Sequence, residues 1–423
     1  MNLLDSFRIA SRLMSLNRSR RWPEVRIRNF QEDAIVSVLR HAIEHVPHYR
    51  VLGLDAKEIS SIDDLRRFPI LSKRDVQHAG DDLLADRVDK RNLKCSMTSG
   101  TSGEPTTTYY DDDSWLLGKF ALKIRRMTGN GLGLFKRVVV ISEQTPEQLR
   151  RSERLVGSSL LFDQQLLSIH DPVQSHLAVL CESRIDALYA FPSYLAELLN
   201  HCDASDIALP QIPIVFTSSE VLQDTLRRRI EENFGARVCD IYGSTEFKEI
   251  AWQCAYGTYH VNFESVYLET VPNSTFDGED LLITSLTNRA MPLIRYRIGD
   301  QCKLRMIDCR CGRSGPSISS IGGRVVEMVR LPNGKRISPY LLTTAIEAHS
   351  EIAKYQILQS GQDGIEVRYV PKRAELSEAD VCSIESVLRK HLGRAMAVRI
   401  MAVPTIPRTV AGKHRIFVQG SGA

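Results

Sequence analysis

The sequence predicts an α/β protein in two parts. A large multi-layer N-terminal domain with parallel sheets and a β-rich subdomain precedes a small, mobile α+β C-terminal domain. Three observations carry this expectation. From residue 134, short apolar runs (137–142, 187–191, 214–217 and 238–242) alternate with longer, periodic, charged segments (171–182 and 222–234), the pattern of βαβ units around a parallel sheet. Residues 259–308 change period and read as strands at 259–269, 280–285 and 301–306, with short turns between them. Beyond the Gly-Arg pair at 323–324, strand-like runs (355–359 and 364–370) and helical ones (341–350 and 377–392) fit a compact appendage of about a hundred residues. The expected division is therefore 1–323 and 324–423.

The remaining elements follow from local composition. Residues 27–90 carry helical periodicity, broken by loop signals at 45–48 and 68–72. Ahead of them, Leu3, Leu4, Phe7, Leu13 and Met14 recur at helical spacing among Arg8, Arg12, Arg18, Arg20, Arg21, Arg26 and Arg28. In the plainest reading this basic, amphipathic helix docks on its own domain. Peripheral contact with an anionic membrane is the alternative, and no nucleic-acid partner is expected.

The bulk numbers bound the function class. With 43% hydrophobic and 25% charged residues in 423, the chain suits a soluble globular protein, and its net charge of +4 is modest. No apolar stretch reaches the length that spans a bilayer, and the N-terminus lacks an apolar core and a small-residue cleavage site. A cytoplasmic location is the default expectation. Nine cysteines without a secretion signal point to reduced thiols and metal ligation rather than a disulfide framework. The oligomeric state stays open, a homodimer among the options.

The sharpest motif is Thr98-Ser99-Gly100-Thr101-Ser102-Gly103-Glu104-Pro105-Thr106. Glycine lets backbone approach a ligand closely, and hydroxyls with bare amides can wrap phosphate oxygens. It lacks the Lys of a Walker A loop, and such a cluster taken alone is more often a plain turn. Asp240-Ile241-Tyr242-Gly243-Ser244-Thr245-Glu246 follows an expected strand, where α/β proteins place ligands. It offers an aromatic plane for a base, a hydroxyl for phosphate and a carboxylate for a metal. In Tyr296-Arg297-Ile298-Gly299-Asp300 the Asp can take two ribose hydroxyls, and Pro407-Arg408-Thr409-Val410-Ala411-Gly412-Lys413 closes the series. Each has a dull alternative as a turn, a salt bridge or a solvated lysine. Their joint occurrence in this order points to a nucleotide.

The ordered set TSGTSGEPT, FTSSE, DIYGSTE, PLIRYRIGD, GGR and PRTVAGK resembles the adenylate-forming superfamily. The short chain, Thr106 at the end of the phosphate loop and the Phe191-Pro192-Ser193-Tyr194-Leu195 segment resemble its phenylacetate-CoA ligase branch, with that branch's capsule-cluster relatives. The resemblance runs from about Arg21 to Phe417. It implies ATP- and Mg²⁺-dependent conversion of a carboxylic acid to an acyl-adenylate with pyrophosphate release. Transfer to an acceptor thiol follows, CoA being the expected one; a carrier-protein thiol or an amine is the alternative acceptor, and a degenerate nucleotide-binding scaffold the non-enzymatic one.

By resemblance, Thr98, Ser99, Gly100, Thr101, Ser102 and Gly103 hold the β- and γ-phosphates. Tyr242 stacks on adenine in a site completed by Ser218, Ser219, Glu220, Asp240, Ile241, Gly243 and Ser244. Thr245 contacts the α-phosphate, Glu246 ligates Mg²⁺, Asp300 grips the ribose with support from Arg324, and Lys413 is the adenylation lysine. The acid pocket is drawn from Tyr189, Phe191, Tyr194, Phe216, Tyr242, Gly243 and Phe247, with Lys248 as a candidate partner for a second charge on the substrate. These aromatics are equally candidates for the core. Two features depart from the family or stay open. Val326 stands where relatives carry a hinge Asp or Lys, with Glu327 beside it, and Lys335 and Arg336 in the 331–339 turn are the basic candidates for CoA phosphates or plain surface. Finally, Cys254, His260, Cys309 and Cys311 make a closed tetrahedral set suited to structural Zn²⁺ stapling the 252–312 region, as in some relatives of this branch. The alternative is four unrelated reduced side chains.

Overall fold

The computed structural model describes the chain except residues 1–2, 87, 98–105, 143–160, 183, 273–278, 325–328, 334–335, 338, 348, 350, 362–363, 394, 408–414 and 421–423. Of residues 3–4, 320–324, 336, 340–341, 344, 347 and 420 it describes the backbone alone. Helix α1 (Leu3–Ser19) buries Ile9 and Leu16 against the large domain and is tied to it by Arg8, which donates to Asp113 at 2.7 Å. The amphipathic N-terminal helix therefore docks on its own domain. Helix α2 (Glu24–His45) begins earlier than the periodicity suggested and buries Ile27, Gln31, Ile35, Val38, Leu39 and Ala42 along one stripe.

A short hairpin of β1 (Lys94–Met97) and β2 (Thr107–Tyr110) follows, its last pair Met97 opposite Thr107. Next come α3 (Leu122–Gly129), β3 (Arg137–Ser142), β4 (Asp163–Ser168), α4 (Val173–Glu182), β5 (Ala187–Tyr189), α5 (Pro192–Ser205), β6 (Ile214–Ser218), α6 (Asp224–Phe234) and β7 (Arg237–Ser244). The chain continues antiparallel through β8 (Lys248–Gln253), β9 (Tyr259–Val261), β10 (Val266–Pro272), β11 (Glu279–Ser285), β12 (Tyr296–Asp308) and β13 (Ser314–Arg324). Among the described residues these strands form one 11-stranded sheet, in the order β10-β11-β12-β13-β9-β8-β7-β6-β5-β3-β4. The half from β4 to β7 is parallel.

The physics of the two halves differs. The inner parallel strands β3, β5 and β6 are covered on both faces, by α4–α6 on one side and by α1 and α3 on the other, so they read as near-continuous apolar runs. The antiparallel half packs one face on α2. Two expectations needed correction. The single strand expected at 259–269 is two, because the chain turns between them, the Asn262 carbonyl accepting from the Ser265 amide at 2.8 Å and the Val266 amide at 3.2 Å. The polar strand β4 carried no apolar run to announce it.

The small unit has its own core. Helices α7 (Tyr340–Glu347) and α8 (Glu378–Leu392) pack on a sheet whose strands are, in spatial order, 397–402, 364–371, 352–360 and 417–420. Leu342, Ile346, Ile357, Val367, Ile384, Leu388 and Phe417 meet there. It touches the large domain through Asn200, which donates to the Ala353 carbonyl at 2.7 Å, and Gln223, which donates to the Thr343 hydroxyl at 3.3 Å. No helix among the described residues is long and apolar enough to cross a membrane.

Candidate active site

Three segments meet at the carboxyl end of β7, next to where the sheet passes from parallel to antiparallel. That is where an open α/β sheet leaves a crevice for ligands. Side-chain hydrogen bonds across long sequence separations hold them together. The Tyr110 hydroxyl at the end of β2 donates to the Thr245 carbonyl at 2.6 Å. The Tyr296 hydroxyl donates to Glu246 Oε1 at 3.0 Å, and the Tyr242 hydroxyl to Asp300 Oδ2 at 2.7 Å. Arg324, ending β13, is the cross-strand partner of Asp300 on β12. The hairpin, the 242–246 turn and the start of β12 thus face one crevice, and the segment 98–106 is the connection of that hairpin.

Several expected residues belong to this crevice. Gly243 is exposed, Tyr242, Ser244, Thr245 and Glu246 are half-buried, and Asp300 is buried. Gly243 must lack a side chain, since a Cβ there would lie 2.4 Å from the Lys248 carbonyl oxygen. Tyr189, half-buried at the end of β5, shares a hydrogen bond with Ser218, whose hydroxyl lies 3.3 Å from that of Ser219. Ser219 is held at φ 72°. The loop residues Thr98, Ser99, Gly100, Thr101, Ser102 and Gly103, the lysine Lys413, and Val326, Glu327 and Lys335 lie outside the described residues, as do the side chains of Arg324 and Arg336.

Other expected residues stand behind the crevice. Asp240 is 6% exposed, and its two oxygens accept from Thr217, at 2.5 Å, and from Tyr259. Burial raises its carboxyl to about 6, against the pull of those hydroxyls and of Arg227. It braces β7 to β6 and β9. Ile241 points into the core. Glu220 accepts from the Ser193 amide at 2.8 Å and the Ser193 hydroxyl at 2.9 Å, so its carboxylate caps α5. Phe191 and Tyr194 pack under the helices, Tyr194 against His176, and Phe216 lies beneath the Arg126 guanidinium. Phe247 is buried against Tyr296, at 5.8 Å between rings. The core alternative applies to Phe191, Tyr194 and Phe216.

Lys248 also differs from its expected role. Its ammonium donates to the Ser96 hydroxyl and, at 3.4 Å, to the Thr245 carbonyl, beside the rings of Tyr110 and Trp115. Burial, with Lys119 nearby, lowers it to about 8, while Glu246 opposes the shift. Neither Ser96 nor Tyr110 was legible as a site residue, because nothing in an isolated Ser or Tyr names a partner more than a hundred positions away.

The four metal candidates converge. The ligand atoms of Cys254, His260, Cys309 and Cys311 all lie within 4.8 Å of one another, with 3.8 Å between the sulfurs of Cys254 and Cys309 and 3.2 Å from Cys311 Sγ to His260 Nε2. Four ligands at zinc–sulfur and zinc–nitrogen bond lengths of about 2.0–2.3 Å occupy such a tetrahedron. A turn with Gly312 at φ 81° presents the two close thiols, and Arg20 donates to the Cys311 carbonyl at 2.7 Å. Burial, with Arg313, Arg125 and Arg20 nearby, lowers His260 to about 3 and keeps it a neutral donor. Burial also pushes Cys311 up to about 12. A cation bound here would take the three sulfurs as thiolates and the imidazole as a neutral donor.

The chain is similar over most of its length to known proteins. The CapK C-terminal domain model matches residues 329–420. Phenylacetate-coenzyme A ligase of Thermus thermophilus is 24% identical over 407 residues, covering 89% of each chain. Indoleacetate–lysine synthetase of Pseudomonas savastanoi is 23% identical over 336 residues, covering 73% of this chain and 80% of its own. A crystal structure of 2-hydroxyisobutyryl-CoA ligase in the postadenylation state, in complex with R3-HIB-AMP, superposes with a TM-score of 0.75. It is 20% identical and covers 96% of this chain and 92% of its own. The ordered motifs, the relatives that span most of the chain, the C-terminal model and the shared fold support an adenylate-forming chain similar to the phenylacetate-CoA ligase and CapK-like branch.

Proposed function

We propose that the chain activates a carboxylic acid with ATP, forming an acyl-adenylate and pyrophosphate, and then passes the acyl group to the thiol of CoA. The substrate carboxylate attacks the α-phosphorus and the bond to the pyrophosphate oxygen breaks. In the second step the thiol sulfur attacks the acyl carbon and AMP leaves. The observation that carries the reading is the crevice itself, where the phosphate-loop hairpin, the 242–246 turn and Asp300 meet.

Within it, the chain's own groups manage charge. Tyr242 presents its ring to the adenine while its hydroxyl holds the Asp300 carboxylate toward the ribose. Thr245 offers its hydroxyl to the α-phosphate, its backbone fixed by Tyr110. Glu246 is oriented by Tyr296 on one oxygen and is the residue that holds Mg²⁺, which when bound neutralises the charge growing on pyrophosphate. Lys413 is the cation that clamps the carboxylate against the α-phosphate. The Cys254, His260, Cys309 and Cys311 set holds a structural Zn²⁺ and takes no part in the chemistry. A cytoplasmic, reducing setting suits its thiolates.

ATP–pyrophosphate exchange across a panel of aryl, hydroxy and amino acids tests the first step, with exchange expected for at least one class. Absence of exchange with every acid, in folded protein that holds its metal, would overturn it. The likeness to indoleacetate–lysine synthetase supports a second reading for the second step, an amine as acceptor. AMP release stimulated by CoA favours the thioester. Release stimulated by an amine and indifferent to CoA favours the amide.

A further inference from the structure

Resting on the ATP-site reading above, we propose that Lys248 is a positioning residue for the phosphate loop. Its ammonium ties Ser96, at the end of the strand that launches residues 98–103, to the turn that carries Thr245 and Glu246. The hairpin of β1 and β2 forms a sheet of its own, outside the backbone ladder of the main sheet. Its placement over the crevice therefore depends on side chains. Tyr110 anchors β2 through the Thr245 carbonyl, and Lys248 anchors β1 through Ser96 while reaching that same carbonyl.

The surroundings are shaped to this lysine. Lys248 sits at φ 62°, a left-handed conformation that Gly or Asn adopts at less cost, at the head of β8. Gly243 leaves room for its carbonyl, and a Cβ on Gly118 would come within 3.0 Å of its Cγ. Gly118 lies in a π-helical turn, Leu117–Ala121, a rare local geometry frequent at functional sites. Tyr110 and Trp115 rings stand 4.5 and 4.9 Å from the ammonium, holding its charge in a half-buried place. A plain surface lysine has no such enclosure. These contacts direct the ammonium at Ser96 and the Thr245 carbonyl, below the hairpin's connection.

The experiment measures binding of MgATP and of AMP to the full-length protein by calorimetry, for the wild type, Lys248→Met, Ser96→Ala and the double variant. Methionine keeps the stem beside Gly118 and removes the N–H donors. Losing a charge-assisted hydrogen bond corresponds to about tenfold. Lys248→Met should weaken MgATP about tenfold and leave AMP, which has no β- or γ-phosphate, within about twofold. Ser96→Ala should weaken MgATP likewise, and the double variant should be no worse than Lys248→Met alone. Unchanged MgATP affinity, equal loss for both nucleotides, or additive losses would each overturn the positioning role. So would a shift in acid preference with MgATP affinity retained. A wild type that binds neither nucleotide overturns the ATP-site reading itself, a result distinct from failure of the lysine alone.

Discussion

Asp240 shows how a motif residue can be held within the fold by neighbouring strands. Its carboxyl, buried and hydrogen-bonded between β6 and β7, is raised to about 6 in the folded state from an ordinary value of 3.8. The folded protein therefore holds this proton more tightly than the unfolded chain. The stability linked to it is fully present below about pH 4 and is lost as pH rises to about 6. Asp240→Asn should flatten the dependence of denaturant stability on pH across that window; an unchanged slope would disprove the assignment. Lys413→Ala should abolish ATP–pyrophosphate exchange with the melting temperature unchanged. Lys413 is named from the sequence because a short, local, ordered motif carries it, and it lies outside the described residues. Lys248, Ser96, Tyr110 and Tyr296 act through partners 152, 135 and 50 positions away, and no local pattern encodes such partners.

At the scale of elements, loops within expected boundaries hide a second division of labour. Helix α5 begins at Pro192 with Phe191 as its N-cap, a residue with no side-chain acceptor for the first amides. Glu220 supplies that acceptor from the end of β6, a negative charge at the positive end of the helix. Glu220→Ala should lower stability by about 1 kcal/mol, read from denaturant midpoints at constant m-value, with nucleotide affinity retained. The turn holding Cys309 and Cys311 is too short to build a core, and on the proposed reading it would gain its order from ligation. Purified, metal-replete protein should contain about one zinc per chain. Cys311→Ser should lose it and melt at lower temperature while Thr217 and Tyr259 still brace Asp240. Protein holding no zinc yet unchanged in stability would exclude the staple.

Over the whole molecule, buried ion pairs stitch α3 to the antiparallel strands. Arg125, 2% exposed, donates to Glu264 at 2.6 Å and to Asn262 at 2.5 Å, and Arg126 donates to Glu249 at 2.9 Å. Removing one partner strands a buried charge, so Glu264→Ala should destabilise the fold by about 3–5 kcal/mol. The double variant Arg125→Met with Glu264→Leu should recover much of that loss. A double variant no more stable than the single one would contradict the account. The alternation of apolar runs and charged helices, and the order of motifs along the chain, determined fold class, superfamily and the expected ATP crevice. Both depend on periodicity and spacing within a few residues. Only the tertiary structure decided that Asp240, Ile241, Phe191, Tyr194 and Phe216 stand behind the crevice, and that Glu220 caps a helix. It also decided that the four metal candidates share one place and that Lys248 turns to the hairpin. The reason is physical: an aromatic or a carboxylate has the same local signature whether it faces a ligand or the core, and its neighbours are fixed by packing between distant segments.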